Sequence, residues 1–404
     1  MKRILFVDDE SNVLDGLRRL LYPLRNEWSM TFVEGAERAL AAMESEAFDV
    51  LVTDVCMPGM DGVHLLGRVR ETYPQVVRIV LSGQSERDLT LKSAASAHQY
   101  LSKPCDAETL RNTIARAFTL KNSLEEPSLQ ALVSAVGSLP SVPSLYVELV
   151  QELNKPESSI HNIAEIISQD TAMIAKILQL ANSACFGIRR RISSPKEAAL
   201  YLGCDNLKAL TFSVQVFSQF KVSSSRFSIG ELAQHGQFTG AMAREVAQRT
   251  GCPGIVIGDS LMAGLLHDVG KLVLVSAFPK EYDQAVFYSE SSGKSLHLVE
   301  REIFGATHAE IGTYLLWLWG MPDTVVEAVA YHHEPGKCPV HAMGALAAVH
   351  IANALEHASR HGELGGELED RLDLPYLKEL GVANQIPAWR ESFPLLHPLP
   401  EVLL

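Results

Sequence analysis

Several things this sequence lacks narrow it before any motif is considered. Six cysteines (Cys56, Cys105, Cys185, Cys204, Cys252 and Cys338) are scattered singly through 404 residues. No two share the Cys-x-x-Cys spacing of a zinc site or a redox pair, so they read as ordinary thiols of a reducing compartment. No stretch approaches the roughly 18 apolar residues of a spanning helix. The chain opens Met1-Lys2-Arg3 before four apolar residues, yet Asp8-Asp9-Glu10 ends that run far short of a signal peptide's core. A basic excess is missing as well. With 35 Lys and Arg against 48 Asp and Glu the formal charge is −13, which offers no general attraction to phosphate backbones or anionic lipids. No helix-turn-helix with a basic reading helix is visible. The expectation is a cytoplasmic chain that binds neither nucleic acid nor membrane.

Its length suggests two or three domains at about 100 to 200 residues each. Residues 1–120 alternate strand-like and helix-like segments, with Gly59, Gly62 and Gly83 near strand ends, as a five-stranded parallel sheet requires. A polar stretch, 121–128, reads as a linker. From 129 onward helical periodicity takes over: Ile160, Ile163, Ile166 and Ile167 share one face. Ser194-Pro195 has the order of a cap followed by a first-turn proline, and Gly203 ends that helix. Gly320 and Pro322 separate two more. The predicted architecture is therefore an α/β domain followed by an all-α bundle over 129–340. Residues 341–404 are expected to be a helical extension that becomes an irregular, loosely packed tail from about Gly362.

Chemistry concentrates at the ends of the predicted strands. Asp8-Asp9 closes Ile4–Val7, Asp54 closes Val50–Thr53, Ser82 closes Val77–Leu81, and Met57-Pro58 and Lys103-Pro104 complete the set. Ligands of open α/β sheets bind at that edge. Clustered aspartates hold a hard divalent cation, Mg²⁺ above all, and Asp54 is the natural nucleophile toward a phosphoryl group. Lys103 and Ser82 can reach phosphoryl oxygens.

These motifs resemble the receiver domain of two-component response regulators over about residues 1 to 120. The resemblance implies a flavodoxin-like fold with strand order 2-1-3-4-5 and phosphorylation of Asp54 by a sensor histidine kinase. It implies Mg²⁺ held by Asp8, Asp9, Asp54 and the backbone carbonyl of Cys56. Ser82 and Tyr100 would form the switch, with Lys103 completing the site. Cys105 departs from the aromatic common at its position, which alters the face next to the last helix.

The second half carries histidines placed near predicted helix ends: His235, His267-Asp268, His308 and His332-His333-Glu334. Inward-facing His and Asp from several helices can hold one or two transition metals, with Asp268 bridging, and a metal-bound water could then attack a phosphodiester. The rival reading is structural, with His267 and Asp268 hydrogen-bonded between helices and helix-end carbonyls accepting from a histidine. His161, His297 and His361 are expected at the surface.

From Leu132 to Pro335 the chain resembles the HDOD branch of the HD superfamily, through Leu139–Pro143, Leu180–Ala184, Leu265–Lys271 and His308–Gly312. That branch implies a regulatory module without established catalysis, whereas relatives of the HD-GYP type hydrolyse cyclic di-GMP. Two departures weigh against hydrolysis here: no Gly-Tyr-Pro loop follows His332-His333-Glu334, and Asn353 stands where the superfamily's closing aspartate would be. One carboxylate fewer lowers metal affinity. The expected function is phosphorelay signalling in which the receiver controls an HDOD interaction module toward a downstream protein. A receiver-gated metal-dependent phosphohydrolase is the alternative, and a homodimer is compatible with either.

Overall fold

The computed structural model describes residues 2–73, 75–82, 97–103, 105–106, 108–111, 113–115, 144–153, 155, 159–168, 173–174, 177–178, 192–220, 222–361 and 366–392. The expected linker at 121–128 and the stretches 139–143 and 180–184 lie outside them. The chain divides into two compact units, Met1–Val147 with Leu318–Gly320, and Glu148–Trp317 with Met321–Leu404.

In the first unit the apolar runs form strands β1 (Lys2–Asp8), β2 (Trp28–Glu34), β3 (Val50–Asp54), β4 (Val77–Ser82) and β5 (Gln99–Ser102). They make one sheet in the order β2-β1-β3-β4-β5, and every neighbouring pair is parallel. Ile4, Leu5, Phe6 and Leu51 are fully buried. Consecutive apolar residues are what a strand covered on both faces requires. Helices α1 (Ser11–Leu21), α2 (Ala36–Ser45) and α3 (Gly62–Thr72) connect the first four strands. The strand order reverses between β1 and β3, which opens a crevice at their carboxyl ends, and the acidic residues sit there.

One glycine is dictated by this crevice. A Cβ on Gly62 would lie 2.1 Å from the Asp54 carbonyl oxygen. Only a glycine lets α3 start this close to β3, where the Gly62 N–H donates to the Val55 carbonyl at 2.9 Å.

The second unit is helical: α4 (Ser144–Leu153), α5 (Ile160–Ser168), α6 (Pro195–Leu202), α7 (Cys204–Ser218), α8 (Ile229–Arg249), α9 (Gly254–Leu266), α10 (Val269–Ala277), α11 (Pro279–Ser292), α12 (Leu296–Phe304), α13 (His308–Leu318), α14 (Asp323–Tyr331) and α15 (Ala345–His361). The first residues of α4 precede the unit boundary. As the sequence predicts, the Ser194 hydroxyl caps α6 by accepting from the Glu197 N–H, with Pro195 in the first turn and Gly203 at a φ of 80° after it.

Two findings amend the sequence expectations here. Gly254–Ala277 is long and apolar enough to cross a membrane, yet 83% of its apolar 18-residue stretch is buried. The chain also breaks its helix at His267-Asp268, between α9 and α10. These are marks of a core helix pair. Within the expected tail, the described residues 366–392 are helical and partly buried. Short helices α16 (Gly366–Asp370), α17 (Leu374–Glu379) and α18 (Ile386–Ser392) follow, and they bury Tyr376, Leu377 and Trp389.

Candidate phosphoacceptor pocket and histidine cluster

At the receiver crevice, Asp8 and Asp54 are only 2% and 4% exposed. Burying two carboxylates side by side is costly unless a cation joins them. The Lys103 ammonium does so, donating to Asp54 Oδ1 at 2.6 Å and to Asp8 Oδ2 at 3.0 Å. The other Asp8 oxygen accepts from the Glu10 N–H at 3.0 Å. Burial works against the charged Lys103, but its bonds to Asp54 and Asp8 outweigh that and raise its pKa. Asp9 is exposed. One carboxylate oxygen from each of Asp8, Asp9 and Asp54 fits within a 4.8 Å cluster, a donor set suited to a hard divalent cation. Cys56 follows Asp54 by two residues and is half-buried. Ser82 and Tyr100 are placed by their backbones in β4 and β5. Their side chains lie outside the described residues.

In the helical unit, glycine contacts assemble the second cluster. A Cβ on Gly264 would meet the Cα of Gly240 at 2.5 Å, and one on Gly236 would meet the Leu265 carbonyl at 2.7 Å. Helices α8 and α9 therefore cross backbone to backbone, bringing His235 to His267 with their Nε2 atoms 3.1 Å apart. His235 lies within α8 rather than near a helix end as the sequence suggested, because this crossing falls in the middle of neither loop nor cap but along the helix itself. Likewise a Cβ on Gly270 would lie 2.0 Å from the His308 carbonyl, so α10 and α13 meet closely and carry Asp268 to His308.

The hydrogen bonds fix how these rings point. His267 Nδ1 donates to the Gly264 carbonyl at 2.8 Å and His332 Nδ1 to the Val329 carbonyl at 2.8 Å. His235 Nδ1 donates to Glu356 at 2.6 Å and His308 Nδ1 to Glu300 at 2.6 Å. All four rings thus spend their Nδ1 outward, and in the neutral form each Nε2 is a bare lone pair. Those four atoms converge on Asp268, at 3.6 Å from His235, 3.5 Å from His267, 3.0 Å from His308 and 3.8 Å from His332. His333 Nε2 faces His308 Nε2 at 2.9 Å. His332 Nε2 is buried without a hydrogen-bond partner. Lone pairs that face each other this closely need a proton or a metal ion between them, so the donor set fits a divalent transition metal.

Charge bears this out in direction. Burial lowers the pKa of His267 to about 4, Asp268 only partly opposing it. Burial holds His332 and His333 well below the ordinary histidine value too. His308 is the exception: burial lowers it, but Glu300 and Asp268 raise it overall. Asp268 is held well below its ordinary value, against its burial, by Lys271 and the surrounding histidines. Lys271 donates to Asp268 Oδ2 at 2.6 Å.

Of the residues the sequence singled out, the structure brings together His235, His267, Asp268, His308, His332 and His333. Asn353 is buried, its Oδ1 without a hydrogen-bond partner. His161 is exposed. His297, expected at the surface, is half-buried and stacks on His333 with ring centroids 4.1 Å apart. The side chain of His361 lies outside the described residues. Sequence reasoning missed Glu300, Glu356, His350 and His357. His350 donates from Nδ1 to the His332 carbonyl at 2.8 Å, and its Nε2 accepts the Asp373 N–H. The spacing of Asn353, Glu356 and His357, three and four apart, was the available signal.

Residues 4–115 match the response regulator receiver domain, and residues 139–335 match the HDOD domain. The chain is 27% identical over 223 residues to an uncharacterized protein of Treponema pallidum, covering 55% of this chain and 43% of that one. It is 37% identical over 116 residues to the hydrogenase transcriptional regulatory protein HoxA of Cupriavidus necator, covering 28% of this chain and 23% of HoxA. The chain thus spans less than half the length of these curated relatives. A crystal structure of an HDOD domain protein of unknown function from Geobacter sulfurreducens superposes with a TM-score of 0.53 at 25% identity, over 67% of this chain and 97% of that one. The two matches fall on the two kinds of architecture described above, the α/β sheet and the all-α helices. The chain belongs to the response regulators that join a receiver domain to an HDOD domain.

Proposed function

We propose that Asp54 accepts a phosphoryl group from a sensor histidine kinase and that the phosphorylated receiver controls the HDOD unit as a protein-interaction module. An Asp54 oxygen attacks phosphorus, the phosphorus–nitrogen bond of the donor breaks, and the donor imidazole leaves. The observation that carries this reading is Lys103 bonded to both buried aspartates at 2.6 and 3.0 Å. It places a fixed positive charge where phosphoryl oxygens would arrive. Mg²⁺ held by Asp8, Asp9, Asp54 and the Cys56 carbonyl would supply charge neutralisation at the transferring group. Ser82 hydrogen-bonds a phosphoryl oxygen and Tyr100 completes the switch. The net charge of −13 favours an output through protein contact, with a downstream protein as partner, over nucleic acid.

The test is incubation of the full chain with acetyl phosphate and Mg²⁺. Expected is an acyl phosphate that hydroxylamine removes and that Asp54→Asn abolishes. Equal labelling of Asp54→Asn would refute the assignment.

A second proposal concerns the helical unit alone. His235, His267, Asp268, His308, His332 and His333 are read as a divalent transition-metal site, supported by their converging bare nitrogens. With Asn353 in place of a carboxylate, the site is read as regulatory.

A further inference from the structure

Helix α15 has at Asn353 a buried, uncharged amide whose Oδ1 has no hydrogen-bond partner, but it carries a carboxylate one turn further on. Glu356 lies three residues after Asn353, on the same helical face. It is 1% exposed, and its Oε2 accepts from His235 Nδ1 at 2.6 Å. Glu300, in the middle of α12, is fully buried as well. Its Oε2 accepts both the His308 backbone N–H at 2.8 Å and His308 Nδ1 at 2.6 Å.

The two arrangements are equivalent in chemistry. In each, a buried glutamate fixes the tautomer of a histidine whose other nitrogen points at Asp268. A carboxylate behind a ligating imidazole orients the ring and raises its basicity, a pairing that commonly lies behind metal-bound histidines. Buried carboxylates are otherwise hard to account for, because an ionised glutamate in a helical core is strongly penalised without such a partner. Lys271 holds Asp268 Oδ2, which leaves Oδ1 to the His308 and His332 nitrogens. Nitrogen donors with one carboxylate suit zinc, cobalt, manganese or iron rather than Mg²⁺.

We infer that Glu356 supplies, from behind His235, the carboxylate charge that Asn353 withholds, and that Glu356 and Glu300 are positioning residues for His235 and His308 as ligands of a divalent transition metal. This rests on the metal reading of the helical cluster.

The experiment is a Co²⁺ titration of the full chain in excess Mg²⁺, which occupies the receiver pocket, followed by the visible absorption of bound Co²⁺. Wild type is expected to bind. Glu356→Gln and Glu300→Gln keep the shape and the hydrogen-bond acceptor but lose the charge, so each should weaken Co²⁺ binding by about 10- to 100-fold. Their metal-free melting curves should stay near that of wild type. Adding Asn353→Asp to Glu356→Gln should recover most of the loss, a rescue that a purely structural role for Glu356 would not give. If wild type binds no Co²⁺, the metal reading and the inference fall together. If wild type binds and both glutamine variants bind equally well, the inference alone is overturned. Should Glu356→Gln not fold, Glu300→Gln decides in the same way.

Discussion

Replacing Lys103 with Met keeps the aliphatic stem and removes the charge that joins Asp8 and Asp54. In the absence of Mg²⁺, two buried carboxylates then face each other with ligand oxygens within 4.8 Å. At that distance and an effective dielectric of about 20, their repulsion is about 3.5 kcal/mol. This agrees with the roughly 3 to 5 kcal/mol lost when one member of a buried ion pair is removed. Lys103 retains partial solvent access, so about 3 kcal/mol is the better figure. Native-state hydrogen exchange in β1 and β3, where the aspartates sit, reads this as about a 100-fold fall in protection. Saturating Mg²⁺ should restore most of it, because the cation replaces the lost ammonium between the same oxygens. Asp54→Asn, which removes one of the repelling charges, should not show the fall. Equal protection of Lys103→Met and wild type without Mg²⁺ would refute the claim that this pocket is a strained anion pair held by lysine.

Gly270→Ala places a Cβ 2.0 Å from the His308 carbonyl, where only backbone could yield, so it should cost about 3 kcal/mol or more and lower the melting temperature of the helical unit by roughly 6 to 12 °C. Gly254→Ala has open space, and its melting temperature should match wild type; equal behaviour of the two variants would contradict the packing argument. The buried histidines predict a pH dependence for the metal-free helical unit. His267 is lowered from 6.5 to about 4 in the folded state, so the unfolded chain takes up the proton first. Its contribution is intact above about pH 6.5 and declines by about 3 kcal/mol as pH falls to about 4. His332, His333 and His357 act in the same direction, while His308 opposes them. A melting temperature that stays flat or rises between pH 6.5 and 4 would contradict this balance.

The receiver site was readable in the sequence because chemistry and secondary structure coincide there. Asp8 and Asp54 each end a β-forming run, so finding the strands finds the acidic cluster. Parallel pairing then supplies what periodicity alone does not: Asp54 opposes Leu81, and Ser82 opposes Ser102. In the helical unit the histidines themselves were visible, but their support was not. Glu300 and Glu356 look like members of a solvated helix face until the fold buries them behind His308 and His235, rings brought into the cluster by the crossings of α8 with α9 and α10 with α13. Those crossings depend on Gly236, Gly240, Gly264 and Gly270, whose role is a close approach between segments remote in sequence. Hydropathy also understated Gly254–Ala277, because Asp259, His267, Asp268 and Lys271 interrupt a run that the fold nevertheless buries. Trp389 and Tyr376, in a stretch rich in proline, find core positions that no local pattern announces.

The central claim is that phosphorylation of Asp54 is transmitted to the HDOD unit. Beryllofluoride with Mg²⁺, added to the full chain, mimics the phosphoryl group without turnover, and hydrogen exchange then reads each helix. For typical allosteric coupling of about 1 to 3 kcal/mol, protection in some of α4 to α15 should change by about 5- to 150-fold in wild type and not in Asp54→Asn. Changes confined to residues 2–115 in wild type, or the same changes in both proteins, would contradict it.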